Sequence, residues 1–155
     1  MKQFLTASTM GLCGALATLI AFSFQLPSWV LFMAWVSYYL FGKSFRSALY
    51  TIIPITSGII MGIMIKLLGG GLNQYLGILG FPLAVFILIT SLTYMSKIKG
   101  LHNIPAWFMG LIIFFGVHPN IEIKPIMLIF ISITLGFIFA FLNDTITIFI
   151  KKNKV

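Results

Sequence analysis

Residues 27–41 read PSWVLFMAWVSYYLF, and residues 105–117 read PAWFMGLIIFFGV. Each is an apolar run opened by Pro-x-Trp, and each is short. As a helix, about 14 to 16 residues rise only about 21 to 24 Å, less than the roughly 30 Å of hydrocarbon in a bilayer. Longer apolar runs flank both, so that six can be marked in order: residues 4–24, 26–41, 48–68, 76–95, 104–117 and 126–150. Gly, Pro and basic residues separate them. The pattern predicts an all-α membrane protein of six transmembrane segments, with the second and fifth short.

Composition agrees with this reading. The chain of 155 residues is 60% hydrophobic and only 8% charged, where soluble domains run to about 25% charged residues. Six spans leave no length for a soluble unit, so residues 1–155 are read as one transmembrane domain. A net charge of +8 would point to nucleic acid in a soluble protein. Here the basic residues fall between apolar runs, which removes nucleic acid as a partner and leaves the lipid bilayer. Cys13 lies in the first run and has no second cysteine to pair with. No small-residue cleavage site follows that run, which is therefore the first span and not a signal peptide.

With the N-terminus inside, Lys2, Lys43, Arg46, Lys97, Lys99, Lys151, Lys152 and Lys154 fall on the cytoplasmic side and only Lys66 and Lys124 outside. That sorting is the one expected of cytoplasmic loops, and it places both chain ends in the cytoplasm.

The chain also reads as two similar halves, about 1–70 and 71–155. Gln3-Phe4-Leu5 matches Gln74-Tyr75-Leu76, Pro27-Ser28-Trp29 matches Pro105-Ala106-Trp107, and Phe32-Met33-Ala34 matches Phe108-Met109-Gly110. Tyr38-Tyr39 matches Phe114-Phe115, and the step from Gly58 to Gly62 matches Gly136 to Ala140. Three spans per half is an odd number, so the second half enters the membrane inverted. Inverted repeats of this kind are common among transporters and channels.

The candidate solute path follows from the short segments. Trp35, Ser37, Tyr38 and Tyr39 in the first and Trp107, Gly110 and Phe114 in the second could line an aromatic constriction, with hydroxyls offering hydrogen bonds to a neutral solute. The competing reading is an interfacial aromatic belt. Asn143 and Asp144 join the path as the polar groups nearest the membrane interior. An intramembrane carboxylate is a functional candidate, although Asp144 lies only about 10 Å of helix rise from Lys151 and could instead pair with basic groups at the interface. Small residues four apart, at Ala7, Gly11 and Ala15, at Gly80 and Ala84, and in the two steps above, read as helix-packing faces and make a homo-oligomer expected. Pro54 and Pro82 inside the third and fourth runs are expected to kink them. His102 and His118 flank the fifth segment about 20 Å apart, too far for one metal site. Neither a catalytic set nor a cofactor motif is present, which argues against an enzyme and implies no cofactor.

Ser28-Trp29, Phe32, Tyr38-Tyr39 and Gly42, with Pro105, Phe108-Met109-Gly110, Phe114-Phe115-Gly116 and Leu135-Gly136-Phe137, resemble the YcdZ-like family of small bacterial inner-membrane proteins with a domain of unknown function. The resemblance implies a bacterial cytoplasmic (inner) membrane and a multi-span fold. It implies no activity and no functional residue.

From these readings a small channel or facilitator for a small neutral or weakly polar solute is the expected function. The alternative is a non-transporting accessory or assembly subunit with a protein partner the sequence does not identify.

Overall fold

The computed structural model describes residues 2–152, so Lys154 of the topology count lies outside the described residues. Those residues form helices and no strand: α1 (Lys2–Ser23), α2 (Ser28–Leu40), α3 (Phe45–Leu76), a 3-10 turn (Gly77–Leu79), α4 (Gly80–Met95), α5 (Ile104–Val117) and α6 (Ile123–Lys152). Three helical stretches, Lys2–Ser23, Phe45–Met95 and Ile123–Lys152, are long and apolar enough to cross a membrane. The short helices α2 and α5 lie within the expected apolar runs.

The count of separate segments is therefore five, where the sequence pattern predicts six. The expected break at residues 69–75 is missing, because α3 runs through Gly69, Gly70 and Gly71 to Leu76. The packing of α4 on this stretch, with Phe81 against Gly69 and Gly80 against the backbone of Leu72 and Asn73, outweighs the poor helix propensity of glycine. Pro82 falls in the first turn of α4, where no helical hydrogen bond is lost, and not in a helix interior. Pro54 is inside α3.

The helices gather into two compact units. Unit 1 holds residues Met1–Ala48 and Glu122–Val155, and unit 2 holds Leu49–Ile121.

In unit 1, α1 and α2 are joined by a tight turn in which Gln25 takes a positive φ of 53° and the Leu26 amide donates to the Ala21 carbonyl at 2.8 Å. α6 packs on both helices. Its buried face is Ile129, Ser132, Ile133, Gly136, Phe137, Phe139, Ala140 and Asn143, and that of α2 is Val30, Leu31, Ala34, Trp35, Ser37 and Tyr38. The closest approach is at Gly136, where an added Cβ would strike the Leu31 carbonyl and lie 2.7 Å from the Ala34 Cβ. Further along, Trp35 stacks on Phe139 with centroids 6.4 Å apart, and Tyr38 reaches Asp144. Contacts at 31 with 136, 35 with 139 and 38 with 144 climb together, so α2 and α6 run parallel.

In unit 2, the helical stretch from α3 through α4 doubles back on itself. An added Cβ on Gly69 would lie 3.2 Å from the Phe81 Cα, whereas a straight helix would separate these residues by about 18 Å. Gly77 supplies the left-handed turn at φ 53°. Asn73 Oδ1 accepts the Phe81 amide at 2.8 Å and fastens the two helices across it. Below the turn, Met61 and Ile65 of α3, Leu92 of α4, and Trp107 and Leu111 of α5 form one buried cluster. Asn103 opens α5 by accepting the Ala106 amide at 3.2 Å. An added Cβ on Gly58 would strike the Trp107 carbonyl, and one on Gly110 would strike the Ile55 carbonyl. Gly62 lies under the Phe114 ring. Contacts at 55 and 58 with 107 and 110, and at 62 with 114, again climb together, so α3 and α5 are parallel as well.

Candidate functional site

Polar side chains are scarce, and most hydroxyls are consumed locally. Ser37 Oγ donates to the Met33 carbonyl at 2.8 Å, one turn back on its own helix, so the hydroxyl expected to face a solute is already engaged. Ser132, Thr134 and Thr145 do the same on α6. The exception is the C-terminal part of the α2–α6 seam in unit 1. There the Tyr38 hydroxyl donates to Asp144 Oδ2 at 3.1 Å, and Asn143 Nδ2 donates to the Tyr39 hydroxyl at 2.7 Å. The two tyrosine rings meet edge to face at 5.5 Å, and Lys43 Nζ stands 5.1 Å from the Tyr39 ring centroid.

Two buried polar atoms on this seam have no hydrogen-bond partner: Trp35 Nε1 and Asn143 Oδ1. Trp35 is 6% exposed and Asn143 3%. Its indole ring is stacked between Phe32 and Phe139, at 6.2 and 6.4 Å. Helix geometry explains the grouping. Trp35, Tyr38 and Tyr39 are three and four residues apart on one face of α2, while Phe139 and Asn143 are one turn apart on the parallel face of α6.

Five of the nine residues expected on the solute path, Trp35, Tyr38, Tyr39, Asn143 and Asp144, thus share one seam, and Ser37 lies beside it with its hydroxyl turned away. The remaining three are in unit 2. Trp107 Nε1 donates to the Leu101 carbonyl at 2.9 Å, Gly110 is pressed against α3, and Phe114 covers Gly62. Unit 2 also holds two hollows. One of about 340 Å³ is lined only by apolar side chains, among them Phe81, Phe108 and Phe115. The other, of about 240 Å³, is lined by Met61, Met64, Met95 and Trp107 together with Ser57 and Ser91. Both serine hydroxyls bond to carbonyls of their own helices, at Ile53 and Leu88, so this hollow is apolar in character.

Sequence reasoning leaves Asp144 as either a functional carboxylate or a partner of basic groups at the interface; its hydrogen bond comes from the Tyr38 hydroxyl, which is neither a basic group nor a solute. Phe139, Asn73 and the bond from Lys66 Nζ to the Pro119 carbonyl at 2.8 Å carry no sequence signal, since each depends on a partner distant in the chain or across a turn. Among the described residues, no group of three or more His, Cys, Asp or Glu could hold a metal ion.

No curated protein and no solved structure matches the chain. Residues 7–148 match the family described as "Protein of unknown function (DUF1097)". That match spans most of the sequence and takes in both short helices and the whole polar seam, so this membrane protein belongs to that uncharacterised family.

Proposed function

We propose that the protein is a small channel or facilitator for a small neutral or weakly polar solute, built from two inverted three-helix halves that cross the membrane six times. The parallel pairing supports six crossings. If Phe45–Met95 were one span, α5 would run against α3, whereas the two run together. With α4 as a returning span, α3 and α5 point one way and α2 and α6 the other, as the sorting of basic residues requires.

Burial supports the repeat. Thr51, Pro54, Ile55, Gly58, Ile59, Met61, Gly62 and Ile65 are the buried positions of α3 between 51 and 65. Adding 78 to each number yields the whole buried face of α6, from Ile129 to Asn143. Adding 76 converts the buried face of α2 into that of α5. The contact of Gly58 with Trp107 and Gly110 then corresponds to that of Gly136 with Leu31 and Ala34. Each unit takes two helices from one half and the third from the other. A bacterial cytoplasmic membrane, with both chain ends in the cytoplasm, fits the narrower resemblance to YcdZ-like proteins and the distribution of lysines.

The observation that carries the transport reading is where the two matched seams differ. At the positions of Trp35, Tyr38, Tyr39 and Asn143, unit 2 has Leu111, Phe114, Phe115 and Ile65, and at that of Asp144 it has Lys66. The same helix pairing is made in unit 2 without the polar cluster, so the cluster is an addition to the fold and not a requirement of it. Buried polar groups cost stability unless they are paired, which makes a role in solute passage the economical explanation. The test is stopped-flow volume change of liposomes containing the purified protein against a panel of small neutral solutes. Entry faster than in empty liposomes, abolished by Tyr39→Phe together with Asn143→Ile, is the expected result. Permeability equal to that of empty liposomes across the panel would reject the reading.

A second reading, the accessory subunit, draws on α1. Added Cβ atoms on Gly11 and Gly14 would meet nothing within 4 Å, so this small-residue face is open to another helix, either of a second copy or of a partner protein. A stable complex with one partner and no permeability of its own would favour it.

A further inference from the structure

The α2–α6 seam has unspent hydrogen-bonding capacity of a particular kind. Asn143 uses its amide N–H on Tyr39 and leaves its carbonyl oxygen buried without a partner. One turn back on α2, the Trp35 indole N–H is buried and also unpartnered. Asp144 accepts from Tyr38 through Oδ2, and a carboxylate has room for further donors on its other lone pairs. The seam therefore offers acceptors at Asn143 and Asp144 and a donor at Trp35.

Each simple class of solute can be set against that inventory. An anion meets Asp144 at close range and is repelled. A bare ammonium ion satisfies the acceptors but has nothing for the indole N–H, which can only donate. A polyol carries tetrahedral hydroxyls whose donors and acceptors are not held in one plane. A planar primary amide presents N–H groups to the two acceptors and a carbonyl oxygen to the indole N–H.

We propose that the Trp35, Tyr39, Asn143 and Asp144 cluster is a binding site for a small neutral carboxamide or urea. This rests on the facilitator reading and names the solute class of its site. Tyr38 and Tyr39 act by positioning: the first orients the Asp144 carboxylate, and the second holds Asn143 so that its carbonyl oxygen faces the seam.

The test has two arms that use the full chain. In proteoliposomes, entry of urea, formamide and acetamide is compared with entry of glycerol and methylammonium. In lipid nanodiscs, the emission of Trp35 is titrated with acetamide or glycerol, and the signal that disappears in Trp35→Phe is taken as that of Trp35. The expected result is amide entry faster than glycerol entry and a saturable emission shift with acetamide alone. Both should weaken about tenfold in Asn143→Ile, the size expected for losing one buried hydrogen bond. Tyr39→Phe keeps the ring and its packing, and should weaken both by a smaller factor, which guards against a folding defect in the asparagine variant.

Glycerol and amides entering equally, with no acetamide-dependent shift, would overturn the amide site and leave the pore standing. A shift that depends on Asn143 without entry of any solute would uphold the site and overturn the pore. Neither entry nor shift would overturn both.

Discussion

Gly136 and Gly11 both lie in long apolar helices, yet their surroundings differ completely. A methyl group on Gly136 would strike the Leu31 carbonyl, while one on Gly11 would meet nothing within 4 Å. Gly136→Ala should therefore destabilise the protein by about 1–3 kcal/mol through overpacking. Gly11→Ala should be neutral, or stabilising by up to about 1 kcal/mol as glycine leaves a helix interior. Unfolding titrations in a denaturing detergent would separate the two, and equal effects would contradict the contacts described. In the polar seam, Asn143→Ile installs the residue that unit 2 buries at the matching position, Ile65. That variant should unfold no more readily than the parent while solute entry slows about tenfold. At this scale the sequence is partly legible. Four-residue spacing marks Gly58, Gly62 and Gly136 as sites of close approach, but spacing does not state which backbone approaches. Nor does anything near Asp144 in the chain announce Tyr38, 106 residues away.

Among the elements, the reversal between α3 and α4 is the one whose position departs most from the sequence pattern. A run of three glycines followed by Leu, Asn and Gln reads as a loop, yet it is helical up to Leu76, and the reversal occurs at Gly77–Leu79. Hydropathy locates apolar runs well, as α5 shows by spanning the expected 104–117. It cannot place a turn between two apolar helices, because the residues on both sides of the turn are apolar too. The turn depends on local contacts that can be tested. Asn73→Ala removes the acceptor of the Phe81 amide and should cost about 1 kcal/mol, as does the loss of a helix cap. Hydrogen exchange should quicken at Phe81 while amides in the middle of α3 keep their protection. Gly80→Ala should be more damaging, because its methyl would strike the backbone at Leu72 and Asn73.

At the scale of the whole molecule, the proposed topology can be checked by labelling single cysteines in a Cys13→Ala background. Lys43→Cys and Lys97→Cys should react with an impermeant reagent only in opened cells, and Gly71→Cys in intact ones. Reaction of Gly71→Cys only after opening would reverse the orientation. If a second copy docks on α1, Gly11→Ile should lower the mass of the purified particle without changing its helix content; an unchanged mass would place any oligomer contact elsewhere. The proposed likeness of the two halves is legible only as an order of motifs, since burial would impose the same spacing of small and bulky residues on matching helices. Which helix joins which unit is not visible. Apolar patterning marks the face a helix buries, and in lipid several neighbours could cover that face equally well.

Unit 1 is made of the two ends of the chain, with Leu49–Ile121 between them. During synthesis, α1 and α2 leave the ribosome long before α6. At about 5–20 residues per second the intervening segment takes roughly 4 to 15 seconds. Over that interval Tyr38 and Tyr39 wait without Asp144 and Asn143, although unit 2, contiguous in sequence, can already close. The polar seam is therefore completed only when α6 is made, after the whole of unit 2. A chain cut short after α5 would hold one finished unit and two tyrosine hydroxyls without the partners that α6 supplies.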